Sequence, residues 1–169
     1  MNKKRTILGG AILVAVLMLG IGYAAINAIT LNISGTATAN ENAANFVVEF
    51  DKTAEITKTG DVTAAIDSQD AKKATMDVSG LTAKGDTATA TFTIVNKSPD
   101  LLANLSVAAK TITNEEYFSV NAVVNTSTAL AAEGAKTTAT VTVTLNKTPI
   151  DGPEEGTINV QLDASPVQP

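Results

Sequence analysis

Thr87-Ala88-Thr89-Ala90-Thr91-Phe92-Thr93-Ile94-Val95 alternates polar with apolar residues as far as Ile94. Ala88, Ala90, Phe92 and Ile94 share one face, and four threonines share the other. A period of two over this length is the pattern of a strand with one buried face. Threonine on the outer face suits a pleated surface. The turn-forming segment Gly80-Leu81-Thr82-Ala83-Lys84-Gly85-Asp86 leads in, and Asn96-Lys97-Ser98-Pro99-Asp100 stops the strand.

The phrase returns downstream. Leu81-Thr82-Ala83-Lys84-Gly85 and Leu130-Ala131-Ala132-Glu133-Gly134 share Leu-x-Ala-x-Gly, and each precedes an alternating Thr strand. In the second copy Ala139, Val141, Val143 and Leu145 take the inner face. The same period marks other segments. They are Ile29, Leu31 and Ile33; Phe46, Val48 and Phe50; a short piece at Glu55 to Lys58; Val62, Ala64 and Ile66; and Ala74, Met76 and Val78. Leu105, Val107 and Ala109 follow, then Phe118, Val120, Ala122 and Val124, and last Ile158, Val160 and Leu162. Thr113 to Tyr117 and Thr128 to Gly134 could each make one helical turn, and no window after the leader has a helical period. About nine short strands, each with one apolar face, predict an all-β domain of two antiparallel sheets packed face to face.

The N-terminus reads differently. Lys3, Lys4 and Arg5 precede an uncharged run from Thr6 to Ile26, which passes Gly22-Tyr23-Ala24. Cations, an apolar core and a small-x-small exit are the layout of a secretory signal peptide, here a hydrophobic helix cut between Ala24 and Ala25. Uncleaved, the run is long enough to anchor the chain in a bilayer. A type IV pilin leader would want glycine directly after the cations, where Thr6 stands. The expected division is a signal peptide at 1–24, one β domain at 25–165 and a tail at 166–169.

Composition narrows the function. The chain has 169 residues with no cysteine, histidine or tryptophan. A disulfide scaffold is excluded, so sheet packing must supply stability. The leader holds three of the 12 cations and none of the 17 acidic residues, so its loss moves the net charge from −5 to −8. That acidity argues against nucleic acid and anionic lipid as partners. Membrane contact is expected only through the N-terminal segment before cleavage.

Without histidine or cysteine, the usual nucleophile–base pairs and imidazole or thiolate zinc sites cannot form. No Gly-Lys-Ser/Thr phosphate loop is present. Glu115-Glu116 and Glu154-Glu155 fall in expected loops, where solvated charge explains them. Asp61, Asp67, Asp70 and Asp77 could gather around calcium, but the Asp-x-Asp-x-Asp-Gly loop is missing. Asn-x-Ser/Thr triplets begin at Asn32, Asn96, Asn104, Asn125 and Asn146, which chance explains in a chain rich in Thr and Ser. No catalytic residue, cofactor or metal is expected.

The Lys-rich start, the Gly-rich apolar core and the junction Gly22-Tyr23-Ala24-Ala25-Ile26-Asn27 resemble the TasA and camelysin family of matrix-fibre subunits. Residues 84–107, KGDTATATFTIVNKSPDLLANLSV, also look like that family's Gly-Asp turn and alternating strand. The resemblance implies a secreted jelly-roll or immunoglobulin-like subunit, freed by a SipW-type signal peptidase, that self-associates into extracellular fibres. It implies that the mature N-terminal segment of one subunit adds a strand to its neighbour, and Ile29, Leu31 and Ile33 would carry that donor strand. The sequence gives this a physical basis, because an uncharged alternating strand at a new terminus suits pairing with an open sheet edge. The simpler expectation is that it forms the first strand of its own domain, and domain swapping connects the two. Camelysin's classification with metallopeptidases does not carry over, since no His-Glu-x-x-His can exist here. The other expectation is a surface-displayed binding or adhesin module tethered by an uncleaved N-terminal helix, though two tyrosines are a poor aromatic supply.

Overall fold

Alternation along the chain becomes strands with one buried face in a computed structural model that describes residues 13–18 and 45–167. The strands are β1 (Leu13–Met18), β2 (Val48–Phe50), β3 (Thr57–Thr59), β4 (Asp61–Ile66) and β5 (Lys73–Ser79). They continue as β6 (Thr87–Asn96), β7 (Leu102–Ile112), β8 (Phe118–Val124), β9 (Ala135–Leu145) and β10 (Thr157–Val167). Among the described residues there is no helix; Glu115 to Tyr117 and Glu133-Gly134 are turns.

The strands form two five-stranded sheets. One has the order β4-β5-β1-β10-β7, and the other β2-β6-β9-β8, with β3 also on β6. Strands β2 and β3 pair with successive parts of the same edge of β6, at 94–96 and 89–91. All pairings are antiparallel except β1 with β10, which is parallel. The alternating residues of both sheets meet in one hydrophobic cluster. Met76, Ile158 and Leu162 come from the first sheet, and Phe50, Phe92 and Ile94 from the second. The Phe50 and Phe92 rings lie 5.4 Å apart. Burying a side chain such as Phe92 contributes roughly 1.5–3 kcal/mol, so these positions dominate stability.

The repeated phrase has a geometric meaning. Its two strands, β6 and β9, are the central pair of the second sheet. Gly85 donates its N–H to Leu145 at the end of β9, and Gly134 donates its N–H to Asn96 at the end of β6, each at 2.7 Å. Each turn thus closes the far end of the partner strand. Both glycines have positive φ, 96° and 86°, where a Cβ is disfavoured. On the outer face Thr89 and Thr142 share a hydroxyl hydrogen bond of 3.2 Å, and Thr91 and Thr140 one of 3.0 Å. Cross-strand threonine pairs of this kind support the sheet.

Two details depart from the periodic reading. Ala109, expected beside Leu105 and Val107, is exposed. Val107 pairs with Leu162 and Ala109 with Gln161, so Ala108 is an extra residue and the bulge reverses which side the strand presents. Strand β10 continues to Val167, pairing Pro166 with Ala103, past the expected end of the domain. The expected signal helix falls mostly outside the described residues, and Leu13–Met18, the part within them, is a strand.

Candidate assembly site

Strand β1 runs between two others and pairs with both. Its residues 13 to 18 pair antiparallel with β5, from Leu13–Val78 to Met18–Lys73. Residues 14 to 18 pair parallel with β10, from Val14–Thr157 to Met18–Gln161. With strands about 4.7–4.9 Å apart, β5 and β10 bound a slot one strand wide. Residues 13, 15 and 17 register with Val78, Met76 and Ala74 on β5, all buried. Residues 15 and 17 register with Ile158 and Val160 on β10, also buried. The flanking residues at these alternate positions all belong to the hydrophobic core.

The slot opens at one end into a cavity of about 440 Å³. Its walls continue the two flanking strands. Ser79, Gly80 and Leu81 follow β5, while Pro153 and Glu154 precede β10. Phe118 and Leu145 from the second sheet also line it. Nothing in the spacing of these residues signals that they meet; the sheet order brings them together. Glu154 is half-buried and accepts a 3.0 Å hydrogen bond from Asn114 Nδ2, so its charge has a partner at the rim.

Ala24 and Ala25, the expected cleavage residues, and Ile29, Leu31 and Ile33, the expected donor strand, lie outside the described residues. The strand seen between β5 and β10 instead comes from the apolar run of the expected leader. An uncharged segment, Leu-Val-Ala-Val-Leu-Met, satisfies an interior strand position because it carries no polar side chain to desolvate.

Other polar groups serve the fold. Asn96 is fully buried, and its Nδ2 donates toward the carbonyls of Leu101, Leu130 and Ala131 at 2.8, 3.2 and 3.0 Å. Its Oδ1 accepts from Ser98 N–H at 3.1 Å. Ser98 Oγ in turn accepts from Val47 N–H at 3.0 Å. Asn96 therefore ties two loops to the sheet, and its amide is closed to glycosylation, whereas Asn104 and Asn125 are exposed. Asp51 accepts from the N–H and hydroxyl of Thr53 and pairs with Lys136 Nζ at 2.6 Å. These bonds, that to Lys136 foremost, hold its carboxyl far below the usual range.

A second cleft, lined by Glu49, Asp51, Lys72 and Lys97, is charged, but Glu49 bonds Lys97 and Asp51 bonds Lys136. Glu116 pairs with Lys147, whose Nζ also sits 4.9 Å from the centre of the Tyr117 ring. Asp67 accepts from the N–H groups of Gln69 and Asp70, which lowers its pKa and spends it on a turn. No three acidic side chains gather around a cation position among the described residues. Phe118 belongs to the core, at 5 % exposure.

Compared with known protein families, curated proteins and solved structures, the chain matches none.

Proposed function

We propose that this chain is a secreted, non-enzymatic structural subunit, a two-sheet sandwich of jelly-roll or immunoglobulin-like type that assembles into extracellular fibres by strand exchange. One observation carries the reading. The slot between β5 and β10 holds residues 13–18, which the sequence marks as the apolar core of a signal peptide. Removal of the leader at Ala24–Ala25 takes that strand away. Two backbone edges and three inward positions then lose their cover, and an uncovered edge recruits another strand. The segment around Ile29, Leu31 and Ile33 becomes the terminus in the same event and has the required alternation. Supplied from another copy, it links subunits head to tail, and a heterologous contact that does not close makes a filament.

The absence of histidine and cysteine from the whole sequence is in keeping with a structural role. Negative-stain microscopy of the exported protein tests the proposal. Filaments that vanish on deletion of residues 25–33 support it. Filaments indifferent to that deletion, or exported protein that stays monomeric at high concentration, refute it.

A further inference from the structure

The cavity at the end of the slot is the natural continuation of the strand position. Extending the β5 pairing two residues upstream of Leu13 reaches Gly80, and extending the β10 pairing to the same point reaches Glu154. Both residues line the cavity. Because inward positions recur every second residue, that point is a fourth inward position, next in line before those opposite Val78, Met76 and Ala74. The slot thus has four seats, and the cavity is the first of them. Its lining is mainly apolar, with Val78, Leu81, Phe118, Leu145 and the two prolines Pro149 and Pro153.

On the strand-exchange reading, the occupant is residues 25–35 of a second copy, and the seats decide its register. Two registers keep Ile29, Leu31 and Ile33 inward. In the first, Ile29 lies opposite Val78, which sends Asn27 into the cavity. A primary amide placed there loses its water against a lining that is mainly apolar. In the second register the strand sits two residues further along. Ile29 then enters the cavity, Leu31 lies opposite Val78, Ile33 lies between Met76 and Ile158, and Gly35 reaches the seat opposite Ala74. We infer that the second register is the one used: the cavity lined by Leu81, Phe118 and Leu145 seats Ile29 of a neighbouring copy and sets the register of the donated strand. The cost falls on Gly35, which leaves the last seat poorly filled, at the end where the chain must turn away from the sheet.

The native chain has no cysteine, so paired cysteines report register directly. Opposed residues on neighbouring strands have Cβ atoms about 4.5–5.5 Å apart, close enough for a disulfide to form with slight adjustment. On the solvent side, the second register places Asn32 opposite Asp77, and the first places Thr30 there. The full chain, expressed with its leader in a host that exports it, carries either Asn32→Cys with Asp77→Cys or Thr30→Cys with Asp77→Cys. After mild oxidation, the expected result is a ladder of covalent oligomers from the Asn32 pair and none from the Thr30 pair. Ile29→Ala should also raise the critical concentration for filaments on the order of thirtyfold or more, while Asn27→Ala leaves it within about threefold. A ladder from the Thr30 pair overturns the inference. So do filaments that require residues 25–33 yet crosslink through neither pair, although the strand-exchange reading then survives. A crosslink confined to single chains overturns the seating in a second copy. Filaments that ignore deletion of 25–33 remove both the inference and the reading beneath it.

Discussion

Asn96 offers the most direct test of how the fold is held. Replacing it with alanine removes two N–H donors shared among three carbonyls and one acceptance, but the losses are unequal. Leu130 O keeps its bond from Ala103 N–H at 2.8 Å, and Ala131 is exposed, so water can replace the amide. Leu101, at 3 % exposure, has its carbonyl stranded, and the Ser98 N–H loses Oδ1. Two buried orphans at about 1–3 kcal/mol each give a loss of roughly 2–6 kcal/mol. That is a large part of the 5–15 kcal/mol typical of a domain. Asn96→Asp sharpens the test. Its protonated carboxyl still donates one bond, whereas its ionised form faces three carbonyl oxygens in a buried site. The folded pKa is therefore raised above the usual value of about 4, so the carboxylate costs stability as pH rises from there toward the folded pKa. The gap between wild type and Asn96→Asp should widen by about 1.4 kcal/mol per pH unit over that window. Urea unfolding followed by far-UV circular dichroism at pH 4.5, 5.5 and 6.5 reads it, the three values being chosen on the order of one unit apart above that threshold. An Asn96→Ala loss below about 1 kcal/mol, or a gap for Asn96→Asp that does not move with pH, refutes the assignment of Asn96 as the tie between loops.

Asp51 responds to acid in the opposite sense. Its carboxyl is depressed, so its contribution is fully present above about pH 4 and is lost as pH falls through the folded value. Asp51→Asn should flatten the acid limb of the stability profile, measured as urea midpoint against pH. Phe92→Ala, at a fully buried position against Phe50, should cost about 3–5 kcal/mol in the same assay. Gly60 and Gly85 both have positive φ, but a Cβ on Gly60 would stand 3.1 Å from Thr87 O and 3.3 Å from Ala88 Cα, whereas one on Gly85 meets nothing within 4 Å. Gly85→Ala should therefore cost only the conformational term, about 1–2 kcal/mol. Gly60→Ala should cost more, and equal midpoints for the two would show that backbone crowding at Gly60 is unimportant.

Much of the architecture is legible because one-sided burial writes itself into alternate residues. Phe92 and Ile94 on β6, Val141 and Val143 on β9, and Met76 and Val78 on β5 all face the core their spacing implies. Legibility fails where a single residue changes the local geometry. The bulge at Ala108 turns Ala109 outward although its neighbours Leu105 and Val107 obey the pattern. It fails again where a polar residue works through distant partners. Asn96 reads locally as a turn residue after a strand, and its contact with Leu130 spans 34 positions. Asp51 gives no local sign of Lys136, which reaches it only because Lys136 registers with Val95 on β6, beside the strand that ends at Phe50.

The candidate site was hidden for a different physical reason. An apolar run of this length behind three cations satisfies the requirements of a signal helix, and a buried strand flanked on both sides has the same requirement of continuous apolarity. Hydrophobicity alone does not choose between them; the available partner does. In a bilayer or an export channel the segment can satisfy its backbone only within itself, as a helix. Beside β5 and β10 it can satisfy the same groups by pairing, and six of its residues do so. One stretch thus suits two environments. The slot it occupies is defined by β5 and β10, both outside the apolar run, so the demand for a partner strand belongs to the rest of the domain. Any segment that answers the demand must be extended and uncharged, with an apolar residue at every second position. Ile29 to Ile33 meets those terms, and on the proposed reading the vacancy left by processing is what assembly fills.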